Sequence, residues 1–352
     1  MQTSEQISGN AALENRPDSR KVPGRTVILL LLFFLLLGGT NALFTFCLEP
    51  AQSSSAAMWA GFSRLEQLDL AVVGTSQGLN GIDAGTISRS LSCSAYNMST
   101  NMQSFAASRE ALSAASDRFG IREAVLVIDH EMFYTSRQDN AKAESSFVRG
   151  KVLSEDFPSG VRDSARFIFD PDFFGTSASL LYFFPWTYSR EAHVPANIRA
   201  KLSGTLPEQV RDAYGFEPSD EVVSSSVYFV PSEEASDWDK EFPDSVKDLV
   251  LGEDVQEALR SICSLCQEKN IRLTALVIPY PNAFNIYTVD SYEEVSRELG
   301  SLFASYGFTF LDCNLPGCGF TPDPAGFRDV GHMNSRGAEA FSLFLSDLLR
   351  KE

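Results

Sequence analysis

The chain has few of the residues on which several classes of protein depend. Its 352 residues include only three histidines, and 46 acidic residues outnumber 29 lysines and arginines, so the formal net charge is −17. Because phosphate contacts need clustered lysine and arginine, this balance argues against nucleic-acid binding. No internal repeat of fixed period is visible, and no motif indicates a cofactor. We therefore expect neither a nucleic-acid partner nor a cofactor.

Cysteine is also scarce, and the six residues leave their pairing open. Cys263 and Cys266 form C-x2-C, and Cys313 and Cys318 form C-x4-C. A zinc site built from both pairs is disfavoured, because structural zinc pairs usually sit on turns and the first pair falls within a helical pattern. In "CNLPGC" a proline and a glycine close a short loop. We therefore expect a disulfide there and no metal site.

Apolar residues, by contrast, are abundant. Hydrophobic residues make up 44% of the chain, including 27 phenylalanines. This is enough apolar surface to fill a large core, so the chain as a whole does not have the composition of a disordered protein.

One apolar run, Thr26 to Phe46, contains no charged residue. It is long enough to cross a hydrocarbon core of about 30 Å, which takes about 20 residues. Four basic residues precede the run, and Glu49 is the first charge after it. We therefore expect a single-pass signal anchor at 26–46, and the positive-inside rule places the N-terminus in the cytoplasm and the main domain outside it. Residues 1–25 are polar and have no period, which predicts a disordered cytoplasmic tail. A cleaved signal peptide is the main alternative, disfavoured because its apolar region is normally shorter.

Beyond a linker expected at 47–67, short apolar runs alternate with helical patterns. The runs "LDLAVVG", "AVLVI", "RLTALVI" and "FTFLDC" are typical of buried strands. Their alternation with helices predicts an α/β domain over 68–352 with a mostly parallel sheet, whose ligands bind at the carboxyl ends of the strands. Residues 135–250 do not follow this alternation, and we interpret them as an insertion or cap over the sheet.

Two helix boundaries are marked in the sequence. The helical pattern in "SFAASREALSAASDRFG" stops at Gly120, and an amphipathic helix closes the chain after "GHMNS". Either Asn334 or Ser335 would supply the N-cap of that last helix, because short polar side chains accept from the free N–H groups of the first turn.

Two short stretches contain residue types that suit nucleophilic catalysis. Ser76 follows the first apolar run in "GTSQG", where a strand-to-helix turn would present its hydroxyl. His332 lies just before the last helix, and Asp329 precedes it by three residues. An imidazole with an ordinary pKa near 6.5 suits proton transfer, and a carboxylate can orient it, as in a Ser-His-Asp triad. Taken alone, each stretch also fits an ordinary polar turn or loop.

Together, "AVVGTSQG" and "FRDVGHMNSRGAEAF" resemble the first and last sequence blocks of the SGNH/GDSL hydrolase family. The form F-x-D-x-x-H-x-N-x-x-G is similar to that of the membrane-anchored branch, which includes alginate O-acetyltransferase-type proteins and the teichoic-acid D-alanylation accessory protein. The resemblance covers Leu68 to about Asp129 and Arg272 to Glu352. It implies a flavodoxin-like three-layer α/β/α sandwich in which Ser76 is the nucleophile, Asp329 the orienting acid and His332 the base.

The oxyanion donors depart from the family pattern. "AYNMSTNMQS" resembles the second block, but Ser99 stands where a glycine is expected. The third block usually ends in Gly-x-Asn, whereas here the strand runs into "IDHEMF". We therefore expect the backbone N–H groups of Ser76 and Ser99 as donors, with Asn97 and Asn101 as substitutes for the missing asparagine. The acidic residues of "IDHEMF" would be unfavourable beside an oxyanion and would weaken activity.

These residues and the resemblance predict a membrane-anchored, extracytoplasmic serine esterase or O-acyltransferase. It would act on an acyl ester or a cell-surface polysaccharide through an acyl-enzyme on Ser76, and the resemblance also implies a multi-pass membrane protein as acyl donor. The alternative is a protein that keeps the same scaffold, is catalytically weak or inactive, and binds or helps assemble surface polymers. The missing asparagine of the third block favours that alternative. We expect His130 and His193 to be structural.

Overall fold

The computed structural model describes the apolar run and most of the predicted outer domain. The described residues are 24–51, 53–133, 137–169, 184–187, 192–203, 211–222, 249–280, 291–329 and 331–351. Residues 1–23, which are almost all of the predicted cytoplasmic tail, lie outside them, as does about half of the 135–250 block.

Within this part of the chain a five-stranded sheet lies at the centre, and all of its strand pairs are parallel. Its order is β2-β1-β3-β4-β5. The strands are β1 (Leu70–Gly74), β2 (Ala95–Asn97), β3 (Glu123–Val127), β4 (Arg272–Val277) and β5 (Thr309–Asp312). This is the order of flavodoxin-like doubly wound sheets, in which the winding reverses between β1 and β3. The predicted α/β class with a parallel sheet is therefore confirmed.

Helices pack on both faces of the sheet, because successive strand residues point to opposite sides. Ala71 and Val73 belong to a hydrophobic cluster on one face, and Leu70 and Val72 belong to a cluster on the other. Helices α2, α5, α9 and α10 contribute to the first cluster, and α4 and α11 to the second. The described α-helices are α1 (Gly24–Leu48), α2 (Ser54–Ser63), α3 (Ser76–Gly81), α4 (Ala84–Leu91), α5 (Phe105–Phe119), α6 (Arg137–Ser154), α7 (Phe157–Phe169), α8 (Val194–Ser203), α9 (Glu253–Glu268), α10 (Tyr292–Ser305) and α11 (Ser335–Leu349).

Both helix boundaries marked in the sequence agree with the structure. Gly120 caps the end of α5 with a φ of 64°, a left-handed conformation that glycine adopts without strain. Asn334 caps the start of α11, where its side-chain oxygen accepts a hydrogen bond from the N–H of Gly337 (3.1 Å). Of the two residues considered for that cap, Asn334 is the one used.

Helix α1 contains the predicted membrane anchor. It has 25 residues, none of them buried inside the protein, and it is long and apolar enough to cross a membrane. It is the one such helix among the described residues. A single-pass anchor and a signal sequence share these properties.

The segment predicted to be a linker, 47–67, contains a core helix. Met58, Trp59 and Phe62 of α2 are buried against the cluster on the first face of the sheet. The serines and alanines around them made this apolar face inconspicuous in the sequence. The linker prediction was therefore wrong over 54–63, which belongs to the folded domain.

The described helices α6 and α7 of the 135–250 block pack on the first face of the sheet, where α6 contacts α2 and α7 contacts α6. Lys151 of α6 forms ion pairs with Glu110 of α5 (2.7 Å) and with Asp163 of α7, and all three side chains are nearly buried. Burial lowers the pKa of Lys151, but the charge of Glu110 and hydrogen bonds to both carboxylates outweigh this effect and raise it. Residues 211–222 of the same block, by contrast, border the carboxyl edge, because Arg211 donates to the carbonyl of Ser99 (2.7 Å).

Removing the Lys151 ammonium should destabilise the protein strongly. In Lys151→Met the carboxylates of Glu110 and Asp163 would lose their shared counter-charge, and breaking a buried ion pair from one side costs about 3–5 kcal/mol. Lys269→Met is the matched control, because Lys269 pairs with Asp117 at the surface and exposed pairs contribute about 0–1 kcal/mol. Urea unfolding followed by circular dichroism measures both variants. Equal losses of unfolding free energy would contradict the assignment.

Candidate active site

The turn after β1 presents Ser76 at the carboxyl edge of the sheet. β1 ends at Gly74, whose φ is +154°, and a Cβ atom there would lie 2.6 Å from the carbonyl oxygen of Val127 in β3. A glycine is therefore required at this close approach of two strands. Thr75 then caps α3 by accepting a hydrogen bond from the N–H of Gln77 (3.2 Å), so Ser76 is the first helical residue.

His332 and Asp329, in the loop before α11, form a hydrogen-bonded line with Ser76. The Nε2 atom of His332 is 2.8 Å from Ser76 Oγ, and its Nδ1 atom is 2.8 Å and 3.0 Å from the two carboxylate oxygens of Asp329. With the proton on Nδ1, the ring donates to Asp329 and leaves Nε2 to accept from the Ser76 hydroxyl. The structure therefore brings together the three residues proposed from the sequence as nucleophile, base and orienting acid.

Hydrogen bonds hold this loop in a tight turn. The N–H of Arg328 donates to the carbonyl of His332 (3.0 Å), and the N–H of Gly331 donates to Asp329 Oδ1 (2.9 Å). From the other side, Gln77 Nε2 donates to the Gly331 carbonyl. The carboxylate and the imidazole are therefore fixed toward the turn that carries the serine.

A guanidinium also faces the Asp329 carboxylate. Arg328 Nε lies 3.2 Å from Asp329 Oδ2, and Arg328 also donates to Asn80 Oδ1 (3.2 Å). Partial burial raises the pKa of Asp329, but hydrogen bonds from His332 and Gly331, with the charges of His332 and Arg328, outweigh it and lower the pKa to about 2. Asp329 is therefore ionised at neutral pH and able to hold the Nδ1–H group.

The expected oxyanion donors differ in their surroundings. The Ser76 N–H belongs to the first residue of α3, where an N–H has no acceptor within its own helix. The Ser99 N–H donates to Asn97 Oδ1 (3.0 Å). The Asn97 amide nitrogen donates to the carbonyls of Gly78 (2.8 Å) and Ile82 (2.9 Å). Both hydrogens of that amide are used inside the fold, so Asn97 is not available as an oxyanion donor.

Asn101, the other expected substitute, lies in an exposed turn after Ser99. No hydrogen bond joins Asn101 to Ser76 in the part of the chain that the structure describes. Among the four expected donors, the Ser76 N–H is the one that needs no rearrangement, whereas the Ser99 N–H would first have to leave Asn97.

Asp129 supports the turn that precedes the candidate nucleophile. Its carboxylate is buried and accepts from the Thr75 hydroxyl (2.8 Å), the Tyr280 hydroxyl (3.2 Å) and the Glu131 N–H (3.0 Å). For Glu131, partial burial and the charge of Asp129 raise the pKa of the side chain, while His332 lowers it. Asp129 therefore has a structural role that the sequence did not indicate, and the raised pKa moves Glu131 toward its neutral form.

Sequence reasoning missed two residues that hold the site together. Gln77 joins the turn of Ser76 to the loop of His332, and Arg328 faces Asp329. Each is a neighbour in sequence of a candidate catalytic residue, and that adjacency was the signal available. Their contacts were not predictable, because Gln77 and its acceptor are separated by 254 residues.

Of the other two histidines, His130 has structural surroundings, whereas His193 is exposed and its described bonds are made by its backbone. His130 is buried, its ring centroid lies 4.9 Å from that of Tyr292, and burial lowers its pKa. His193 precedes α8, where its carbonyl accepts from the N–H groups of Ala196 and Asn197.

All six cysteines carry free thiols, so the disulfide expected within "CNLPGC" is not formed. Cys313 and Cys318 instead share a side-chain hydrogen bond, which raises the pKa of Cys313 and lowers that of Cys318. Cys263 and Cys266 are buried on α9, where burial raises the pKa of each thiol to about 12. No group of three or more potential metal ligands occurs among the described residues.

Comparisons with known proteins found no match, so a functional conclusion has to rest on the geometry of this site. No model of a known protein family matches the chain, and no curated protein sequence matches it.

Asp129→Asn should destabilise the protein. The carboxylate accepts three hydrogen bonds, whereas an amide has one oxygen and would turn its NH2 group toward a donor. A buried donor left unsatisfied costs about 1–3 kcal/mol. Asp117→Asn is the control, since that carboxylate is exposed, and we expect a change within about 0.5 kcal/mol there. Denaturant unfolding at neutral pH measures both, and an unchanged midpoint in Asp129→Asn would contradict the structural role.

Proposed function

We propose that this chain is a membrane-anchored, extracytoplasmic serine acyl-ester enzyme of SGNH type. The observation that carries the proposal is the continuous line from Ser76 Oγ through the His332 ring to the Asp329 carboxylate, with 2.8 Å at each end. A serine hydroxyl is a weak nucleophile until a base takes its proton, and this line supplies the base and the acid that orients it.

In the first half of the reaction, Ser76 Oγ forms a bond to the acyl carbonyl carbon while its proton passes to His332 Nε2. The Ser76 N–H stabilises the oxyanion that develops. When the tetrahedral intermediate collapses, the bond to the leaving alcohol breaks and His332 returns the proton to the oxygen of that alcohol. The acyl group then remains on Ser76 as an ester.

In the second half, His332 takes a proton from an acceptor hydroxyl, whose oxygen attacks the acyl carbon. Collapse of this second intermediate breaks the bond to Ser76 Oγ and returns the proton to it. Water as acceptor gives an esterase, and a sugar hydroxyl gives an O-acyltransferase. Asp329, with its pKa lowered to about 2, stays ionised and stabilises the imidazolium in both halves.

The sheet topology supports the fold named in the proposal, and the apolar helix α1 supports its membrane location. The strand order, with helices on both faces, suits a three-layer SGNH-type sandwich. Helix α1, preceded by basic residues, suits an uncleaved anchor with a cytoplasmic N-terminus. An outer domain tethered there would meet cell-surface polysaccharide as acceptor. A multi-pass acyl-donor protein is the partner implied by the sequence blocks that the chain resembles.

A second candidate function is a catalytically weak or inactive scaffold that binds or helps assemble surface polymers. The specific observation in its favour is the oxyanion region, where the Ser99 N–H is held by Asn97 Oδ1. A site with one ready donor would lose part of the stabilisation on which acyl transfer depends, since removal of one donor typically costs about 10²–10³ in rate.

Turnover of an activated acetyl ester by the full chain in detergent tests the enzyme proposal. We expect Ser76→Ala to lower kcat/KM by about 10³-fold or more, because it removes the attacking atom. Ser63→Ala is the matched control, since the Ser63 hydroxyl is exposed and bonds the Ala60 carbonyl, and it should leave the rate unchanged. Turnover by Ser76→Ala equal to that of the parent protein would refute the mechanism.

A fluorophosphonate probe separates the two candidate functions, because it reports nucleophilicity without needing the natural acyl group. The parent protein should be labelled at Ser76, and Asp329→Asn should slow labelling by about 10³–10⁴-fold, since the amide no longer holds the reactive tautomer of His332. Absence of labelling in folded parent protein would favour the scaffold function.

A further inference from the structure

Helices α7 and α8 have a charge balance opposite to that of the whole chain. They contain four basic residues and one acidic residue, Asp163, in a protein whose formal net charge is −17. The side chain of Arg162 is 72% exposed, and Arg199 on α8 is also exposed. Glu155 and Asp156 precede α7, so residues 153–169 and 194–203 together contain four basic and three acidic residues, a balance close to neutral in an otherwise acidic chain.

Large apolar side chains accompany these charges. Phe157 and Phe169 of α7 are 84% and 81% exposed, and Leu153 and Leu202, on α6 and α8, are each 74% exposed. Val161 lies one helical turn after Phe157 and is 53% exposed. Single exposed apolar residues are ordinary, but such a set, together with arginine, is typical of helices that lie in a membrane interface.

Direct contacts join this region to the end of the predicted membrane helix. Asn197 Nδ2 donates to the carbonyls of Cys47 (3.0 Å) and Glu49 (2.8 Å), and Lys201 Nζ donates to the carbonyl of Phe46 (2.8 Å). These bonds satisfy carbonyls that the end of α1 would otherwise leave without partners.

A further hydrogen bond and an ion pair hold the same end of α1. Trp186 Nε1 donates to Asn41 Oδ1 (2.8 Å). Arg149 of α6 pairs with Glu49, the first charged residue after the apolar run (2.8 Å). Helices α6 and α8 are therefore held at the level where α1 would leave the hydrocarbon core, and α7 packs against α6.

We propose that α7 and the adjoining parts of α6 and α8 lie on the surface of the bilayer, with the anionic phospholipid leaflet as their partner. The exposed phenylalanines enter the boundary between headgroups and acyl chains, and Arg162 and Arg199 face anionic headgroups. Continuity with α1 and the two exposed arginines beside exposed apolar side chains favour a bilayer over a second copy of the chain. The inference rests on the anchoring part of the proposed function, because α1 sets the position of the membrane.

Photocrosslinking in the full-length chain tests this surface. Phe157→p-benzoylphenylalanine, reconstituted in vesicles that contain phosphatidylglycerol, should form adducts with lipid on irradiation. Leu343→p-benzoylphenylalanine is the matched control, since Leu343 is 49% exposed on α11 and lies outside this region, and it should form none. Equal lipid yields at the two positions, no adduct at 157, or a crosslink between two copies of the chain would each overturn the proposal.

A separate measurement tests whether Arg162 and Arg199 face anionic lipid headgroups. Replacing Arg162 and Arg199 by glutamine should lower the lipid adduct at position 157 by roughly 5-fold or more in anionic vesicles, and leave it unchanged in phosphatidylcholine, because each basic residue near an anionic surface contributes about 1 kcal/mol. An unchanged yield in anionic vesicles would overturn the assignment of anionic lipid.

Alkaline carbonate extraction of the same vesicles distinguishes this inference from the anchor on which it rests. Release of the chain would refute the anchor. Retention of the chain in the membrane, without a lipid adduct at position 157, would refute the surface contact alone.

Discussion

The rest of the candidate site depends on one pair of interactions, in which the imidazole of His332 hydrogen-bonds the Asp329 carboxylate on one side and the Ser76 hydroxyl on the other. It joins the turn after the first strand to the loop before the last helix, across 256 residues of chain. The surrounding contacts serve its geometry. Gly74 lets the first strand pass close to the third, and Gln77 ties the two segments together. Arg328 faces the carboxylate that orients the ring. Without the parallel sheet to bring strand ends to one edge, these residues would have no reason to meet.

The same site is linked physically to α2, the helix that follows the apolar helix α1. Arg211 is buried and donates to Ser54 at the start of α2 (2.7 Å), to the carbonyl of Ser99 (2.7 Å) and to that of Gly215 (2.9 Å). Burial lowers its pKa to about 10, so it remains charged at neutral pH. The Arg211 side chain thus connects α2 to Ser99, one of the residues expected to supply an oxyanion donor.

Much of the fold could be predicted from sequence, because its signals are local. A glycine stops α5 at Gly120, and alternating apolar runs mark the strands. The three candidate catalytic residues were also accessible, since Ser76 follows a strand and His332 and Asp329 precede a helix. The failures involve long-range packing. Small residues concealed the buried face of α2, and nothing near Asn97 indicates that its amide is consumed by two carbonyls. The irregular 135–250 block had no period to interpret.

The central claim is that the Ser76 hydroxyl attacks an acyl carbon. The most direct measurement is mass spectrometry of the full chain after brief exposure to an isotopically labelled activated acetyl ester, quenched in acid and digested. The account predicts labelled acetyl on Ser76 within the first turnover, and none on Ser76 in His332→Ala. Label distributed over surface lysines with none on Ser76, or equal acetylation of Ser76 in both proteins, would contradict it.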